Sequence, residues 1–251
     1  MPNDLVLHDA HAGVVRLTLN DPGRANVLSE AMMAALSDAL TAAAADPEAR
    51  AIVLAAAGRI FCAGHDLAEV RAAEGEDAAR ALFERCSRLM LAIGACRVPV
   101  IAEVQGAAVA AGCQLVASCD LAYAAEGARF AVSGIDLGLF CSTPGVALGR
   151  AIGRKAAAEM LLTGRFVDAA RAAGLGLINA AVPPEALRGT VDDAAAAIAS
   201  KPPGAIAIGK AAFRRQIEAP IQEAYAIASR AMAENLGLEA ARAGIDGFLK
   251  R

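Results

Sequence analysis

The apolar positions change period along the chain, and the changes mark its elements. In VVRLTL, Val14–Leu19, alternation sets Val15, Leu17 and Leu19 on one side and predicts a strand. NDPGR predicts a turn. Beyond it Ser29 is placed to cap a helix running to about Ala45, with Met32, Leu36 and Leu40 four residues apart on one face. AIVLAAA (Ala51–Ala57) and PVIAEVQG (Pro99–Gly106) are near-continuous apolar runs, the pattern of strands covered on both faces. Between them, GRIFCAGHDL predicts a loop entering a helix near Asp66, and Ala78–Leu91 predicts a helix. A loop after Gly106 leads to a helix from about Gly112, then strands at Asp120–Ala125 and Ala128–Ser133. From Gly145 the pattern is mainly helical, interrupted by LINAAV (Leu177–Val182). Pro184–Arg251 predicts four helices, the first pair broken at KPPGA (Lys201–Ala205) and the second at EAPIQ (Glu218–Gln222). Strand–helix alternation followed by helices predicts an α/β core with a helical tail placed to pack on a partner subunit.

Composition narrows the classes. Hydrophobic residues make up 57% of the 251, enough for a large core without metals or staples. A net charge of -3 and the absence of a Lys/Arg run point away from nucleic acid and anionic membranes. No apolar run approaches the roughly 20 residues that span a bilayer. The start, MPNDLVLHDAHAGVVRLTLN, lacks a basic segment followed by an apolar one, so no signal peptide is expected. The six cysteines contain no C-x-x-C pair, which predicts buried reduced thiols and a cytoplasmic protein. The three histidines, at 8, 11 and 65, match no zinc pattern, and no metal is expected. No G-x-G-x-x-G follows the first strand, against dinucleotide binding.

Two loops carry candidate chemistry. Cys62–Leu67 and Gly106–Gly112 each follow a buried strand, are built largely from small residues and enter a helix. Such loops let a ligand approach free backbone N–H groups, and two donors aimed at one carbonyl oxygen would form an oxyanion hole. Close packing of strand on helix explains the same small residues equally well.

FCAGHDL, LNDPGRANVLS upstream and VQGAAVAAGCQLVASCD downstream resemble the crotonase, or enoyl-CoA hydratase/isomerase, superfamily over nearly the whole chain. AAGCQLVASCD and GLFCSTPGVAL resemble its enoyl-CoA hydratase domain-containing protein 3 subgroup. The resemblance implies a ββα spiral core, residues 1–195, followed by a helical trimerisation region, 196–251. It implies homotrimers or dimers of trimers, with acyl-CoA thioesters as ligands. Coenzyme A enters as part of the substrate, with no separate cofactor. It places the thioester oxygen between the backbone N–H groups of His65 and Ala111, and the coenzyme A end near Arg24, Ala25, Ala63, Asp66 and Leu67. Glycine is frequent in the family at the Ala111 position, so this hole survives unless that site requires positive φ.

The resemblance also exposes a departure. Two glutamates that orient and deprotonate water in family hydratases map to Gln114 and Gly134. An amide accepts no proton at pH 7, and losing one general acid/base costs about 10²–10⁴ in rate. Efficient hydration is therefore not expected. Decarboxylation of a malonyl-type thioester needs little acid/base help, and thioesterase or isomerase action is open too. The alternative is a non-catalytic acyl-CoA-binding or assembly protein. Restoring both glutamates would test whether only the acids are missing. Asp136 shares a face with residue 134 if that segment is extended, although a surface acid is the plainer reading. The His65 imidazole is a candidate base. Ser142, near Cys141 and Thr143, lacks a visible partner.

Overall fold

The structure, a computed structural model, describes residues 4–250. The chain opens with β1 (Val6–His11) and β2 (Val14–Leu19), an antiparallel hairpin whose first strand the alternation does not predict. That strand is mostly exposed, so apolar periodicity carries little signal there. Then come α1 (Glu30–Ala45), β3 (Ala51–Ala56), β4 (Ile60–Cys62), α2 (Leu67–Ala72) and α3 (Gly75–Ala95). Ser29 caps α1, accepting from the Met32 N–H at 3.2 Å. Next are β5 (Val100–Val104), β6 (Ala107–Val109) and α4 (Ala111–Ser118), followed by β7 (Leu121–Ala125) and β8 (Arg129–Ala131). A 3-10 turn at Ser133–Leu137 precedes α5 (Ser142–Ala151), α6 (Arg154–Thr163), β9 (Val167–Asp168), α7 (Ala169–Leu175) and β10 (Ala180–Val182). Four helices end the chain: α8 (Leu187–Ala199), α9 (Pro203–Gln216), α10 (Ile221–Gly237) and α11 (Glu239–Leu249).

The long apolar strands enter one six-stranded sheet, ordered β1-β2-β3-β5-β7-β10 and parallel except for β1. A second sheet, β4-β6-β8-β9, takes the short strands. Each full turn of the chain thus leaves one strand in each sheet before a helix, most clearly in β3–β4–α3 and β5–β6–α4. This is the ββα spiral that the resemblance implies, followed by helices. β4 and β6 were expected as loops. At three residues each they are too short to show a period, and pairing of β4 with β6 and of β6 with β8 makes them strands.

The main core lies between the sheets and α1, α3 and α4, around Leu17, Leu36, Phe61, Leu89 and Phe130. α8 covers the other face of the large sheet, setting Leu187, Val191 and Ala195 on Val53 and Ile101. The 195/196 division therefore falls inside α8. Beneath this helix, Arg16 is only 7% exposed and pairs with Glu103 at 2.5 Å and Asp192 at 2.7 Å. Farther along, Lys210 anchors α9. Its ammonium donates to Asp120 at 2.6 Å and to the Val98 carbonyl at 3.0 Å. α11 buries none of its own residues and leaves Ile245, Phe248 and Leu249 exposed. Among the described residues no helix is long and apolar enough to cross a membrane.

Candidate active site

Short parallel pairing of β4 with β6 brings the two small-residue loops together. A Cβ added to Gly112 would overlap the Cys62 carbonyl oxygen and stand 2.8 Å from its carbon, so only glycine permits this approach. One residue earlier, Ala111 is the first residue of α4 and is fully buried. Its N–H belongs to the free donors of a helix N-terminus, where the helix adds positive potential. The positive φ foreseen as a threat at 111 falls instead on Ala110, at φ 49° and ψ −114°. On the opposite loop, the Gly64 carbonyl accepts from the Leu28 N–H at 2.8 Å, and Leu28 and His65 form a parallel bridge.

The segment near residue 24 docks on this second loop. Ala63 donates its N–H to the Ala25 carbonyl at 3.1 Å, while the Arg24 guanidinium pairs with Asp66 and lies 3.8 Å from Asp21. Asp66 also caps α2 through the Ala68 N–H at 2.9 Å. Leu67 beside it is 58% exposed. Arg24, Ala25, Ala63, Asp66 and Leu67 thus lie in one patch. The arginine is already engaged by these two carboxylates.

Sequence reasoning missed Asn26, which holds this patch in shape. It is fully buried at φ 51°, and its amide donates to the Ala57 and Ile60 carbonyls at 2.9 and 2.8 Å. Its side-chain oxygen accepts from the Asp21 N–H at 2.9 Å. Asparagine tolerates left-handed backbone and bonds its own turn, and an Asn just past NDPGR was the available signal.

Gln114 lies one turn into α4, 4% exposed, with Oε1 buried and unpartnered. His65 packs edge-on against Phe83, with ring centroids 5.4 Å apart and planes at 84°. Burial pushes its pKa down from the ordinary histidine value, opposed by the Leu28 carbonyl. The ring is therefore neutral at pH 7. Its Nε2 is buried without a partner.

The second acid position is filled from outside its own side chain. Gly134 donates its N–H to the Cys141 Sγ at 3.3 Å and accepts from the Leu139 N–H at 2.9 Å. A Cβ at 134 would overlap the Leu139 oxygen and stand 2.8 Å from that sulfur. A glutamate cannot simply be put back there. Nor does Asp136 have the extended segment that an approach to this position would need. Residues 133–137 form a 3-10 turn, not an extended segment, so 134 and 136 point to different sides. The Asp136 carboxylate is exposed and lies toward Gly164 at the end of α6.

Ser142 is exposed, and its hydroxyl faces the Phe140 carbonyl at 3.4 Å. The thiols are unpaired, and burial pushes Cys62, Cys86 and Cys113 up to about 12, so they stay protonated.

A family model described as enoyl-CoA hydratase/isomerase matches residues 9–251. The enoyl-CoA hydratase domain-containing protein 3, mitochondrial, of Xenopus laevis is 43% identical over 246 residues, covering 98% of this chain and 83% of that protein. A crystal structure of an enoyl-CoA hydratase from Mycobacterium smegmatis superposes with a TM-score of 0.96 at 55% identity, covering 98% and 96% of the two chains. Human enoyl Coenzyme A hydratase domain-containing protein 3 gives 0.95 at 40% identity, covering 98% and 97%. The Xenopus relative and its rat and human counterparts are named as mitochondrial, which overturns the cytoplasmic expectation. That expectation rested on reduced thiols, and a thiol's burial does not report its compartment.

Proposed function

The chain belongs to the enoyl-CoA hydratase/isomerase family, and on that premise we propose that it binds acyl-CoA thioesters between the two small-residue loops. The thioester oxygen lies between the N–H groups of His65 and Ala111. The coenzyme A end follows the Arg24–Asp66 patch. The chemistry is lyase chemistry that needs no carboxylate at 114 or 134, best met by decarboxylation of a malonyl-type thioester. The bond from the α-carbon to the carboxylate breaks, and its electron pair passes into the thioester to form an enolate. The two N–H groups stabilise the oxygen anion. CO₂ departs, and a proton from solvent completes the acyl-CoA.

The observation that carries this reading is the pair of positions 114 and 134. One holds a buried amide and the other is occupied by Leu139 and Cys141. General base attack by water has no group to perform it there, whereas enolate stabilisation uses backbone alone. The same observation favours the second reading, a binding or assembly protein with no turnover. Assembly itself is proposed as a homotrimer or dimer of trimers through α9–α11. In support, Phe213, Ile221, Tyr225 and Met232 are exposed along a groove of about 400 Å³ between α9 and α10.

The test is mass-spectrometric turnover of crotonyl-CoA and malonyl-type CoA esters at high enzyme concentration, against a mock purification. Release of CO₂ without hydration is the expected result. Rapid hydration of crotonyl-CoA would overturn the reading of Gln114 and Gly134. Binding of every ester without turnover would select the second reading.

A further inference from the structure

Ala110 occupies a backbone region that favours glycine, yet it carries a methyl group. Its φ of 49° and ψ of −114° are imposed from both sides. Its N–H donates to the Ala131 carbonyl at 2.8 Å, continuing the short sheet past β6. Its carbonyl accepts from the Gln114 N–H at 3.0 Å, opening the ladder of α4. The residue therefore stands where strand becomes helix, and the surroundings over-determine its conformation. Glycine would sit there without strain.

The facing residue explains what the methyl does. Gly64 on the other loop has a φ of +97°. A Cβ on Gly64 would stand 3.0 Å from the Ala110 Cβ, 3.0 Å from the Val109 oxygen and 3.3 Å from the Ala111 nitrogen. The contact has room for one methyl, not two. Placed on residue 64, it would crowd the Ala111 N–H. Placed on residue 110, it fills the gap and leaves that donor open.

We propose that Ala110 is a positioning residue, its methyl wedged against Gly64 to hold the Ala111 N–H at a fixed distance from the His65 N–H. This rests on the reading of those two groups as a thioester donor pair. The strain is kept because a glycine at 110 would leave the two loops free to shift against each other.

Calorimetric binding of butyryl-CoA and of S-butyl-CoA, a thioether without the carbonyl oxygen, tests this in the full chain. The wild type is expected to prefer the thioester about tenfold, the ratio that two net hydrogen bonds support. In Ala110→Gly the ratio should fall toward unity, with thioether affinity unchanged and the melting temperature no lower. Ala110→Ser keeps a Cβ at the same point and should retain the preference. A wild-type ratio kept by Ala110→Gly would overturn the positioning role alone. Loss in both variants would also overturn it, since the methyl would not be what matters. No thioester preference in the wild type would instead bring down the donor-pair reading.

Discussion

The two loops and the two acid positions lie within a short stretch of the same spiral, and they have diverged in opposite directions. At the loops, Gly112 lets backbone meet backbone at Cys62, and Ala110 holds a strained conformation against Gly64. These are features with a free-energy cost, retained around potential N–H donors. Positions 114 and 134 carry no carboxylate, and the space at 134 is taken by a neighbouring carbonyl and a thiol. The difference is the basis of the proposal that the protein holds a thioester oxygen on backbone N–H groups and does not use a glutamate pair to activate water.

The sharpest way to break this comparison is at the loop contact. Gly112→Val puts two methyl groups and a Cβ against the Cys62 carbonyl, and should cost about 3 kcal/mol or more in urea unfolding. A mild effect there would mean that the loops are not held as tightly as argued.

Gly134→Glu comes next. It forces Leu139 and Cys141 to move, with an expected loss of about 1–3 kcal/mol, and with Gln114→Glu it should still give no crotonyl-CoA hydration. Recovered hydration in a folded double variant would show that only the acids were missing.

Gln114→Met removes a buried oxygen that has no partner. It should stabilise the free protein by about 1 kcal/mol in the same assay. A loss of stability would mean that the amide is satisfied in solution, for example by an ordered water.

The smallest effect is a pH dependence. The His65 pKa is lowered in the fold, so below about 6.5 the unfolded chain takes up a proton that the native chain refuses. Stability should therefore fall as pH drops from the unfolded histidine pKa toward the lower folded one, and level off below it. His65→Asn should flatten that slope in melting temperatures recorded between about pH 5 and 7.

Much of this was legible beforehand, and unevenly. Ala51–Ala56 and Val100–Val104 were readable as buried parallel strands because long apolar runs report burial on two faces. Ser29, placed before a four-residue apolar period, was readable as a cap. The motif around FCAGHDL was readable as a family mark. β4 and β6 were not, because their pairing, not their composition, makes them strands. Asn26 was overlooked because two of its three partners, Ala57 and Ile60, lie more than 30 residues away. The extended segment on which an approach of Asp136 depended is a 3-10 turn, and a short run of mixed residues has no period to separate the two.

The amino-acid sequence by itself determined the family, the parallel sheet with its helical tail, and the chemical fact that neither 114 nor 134 carries a carboxylate. These follow from residue identity and local period, which the chain holds wherever it goes. Only the tertiary structure decided that Ala110 carries the strain, that Arg24 is already paired with Asp66, that Asp136 turns toward Gly164, and that the space beside Gly134 is full. Three of these four are contacts between residues brought together by chain turns, with the 64–110 and 24–66 pairs more than 40 positions apart. Each depends on the summed geometry of the strands and helices between them, and no local pattern encodes that sum.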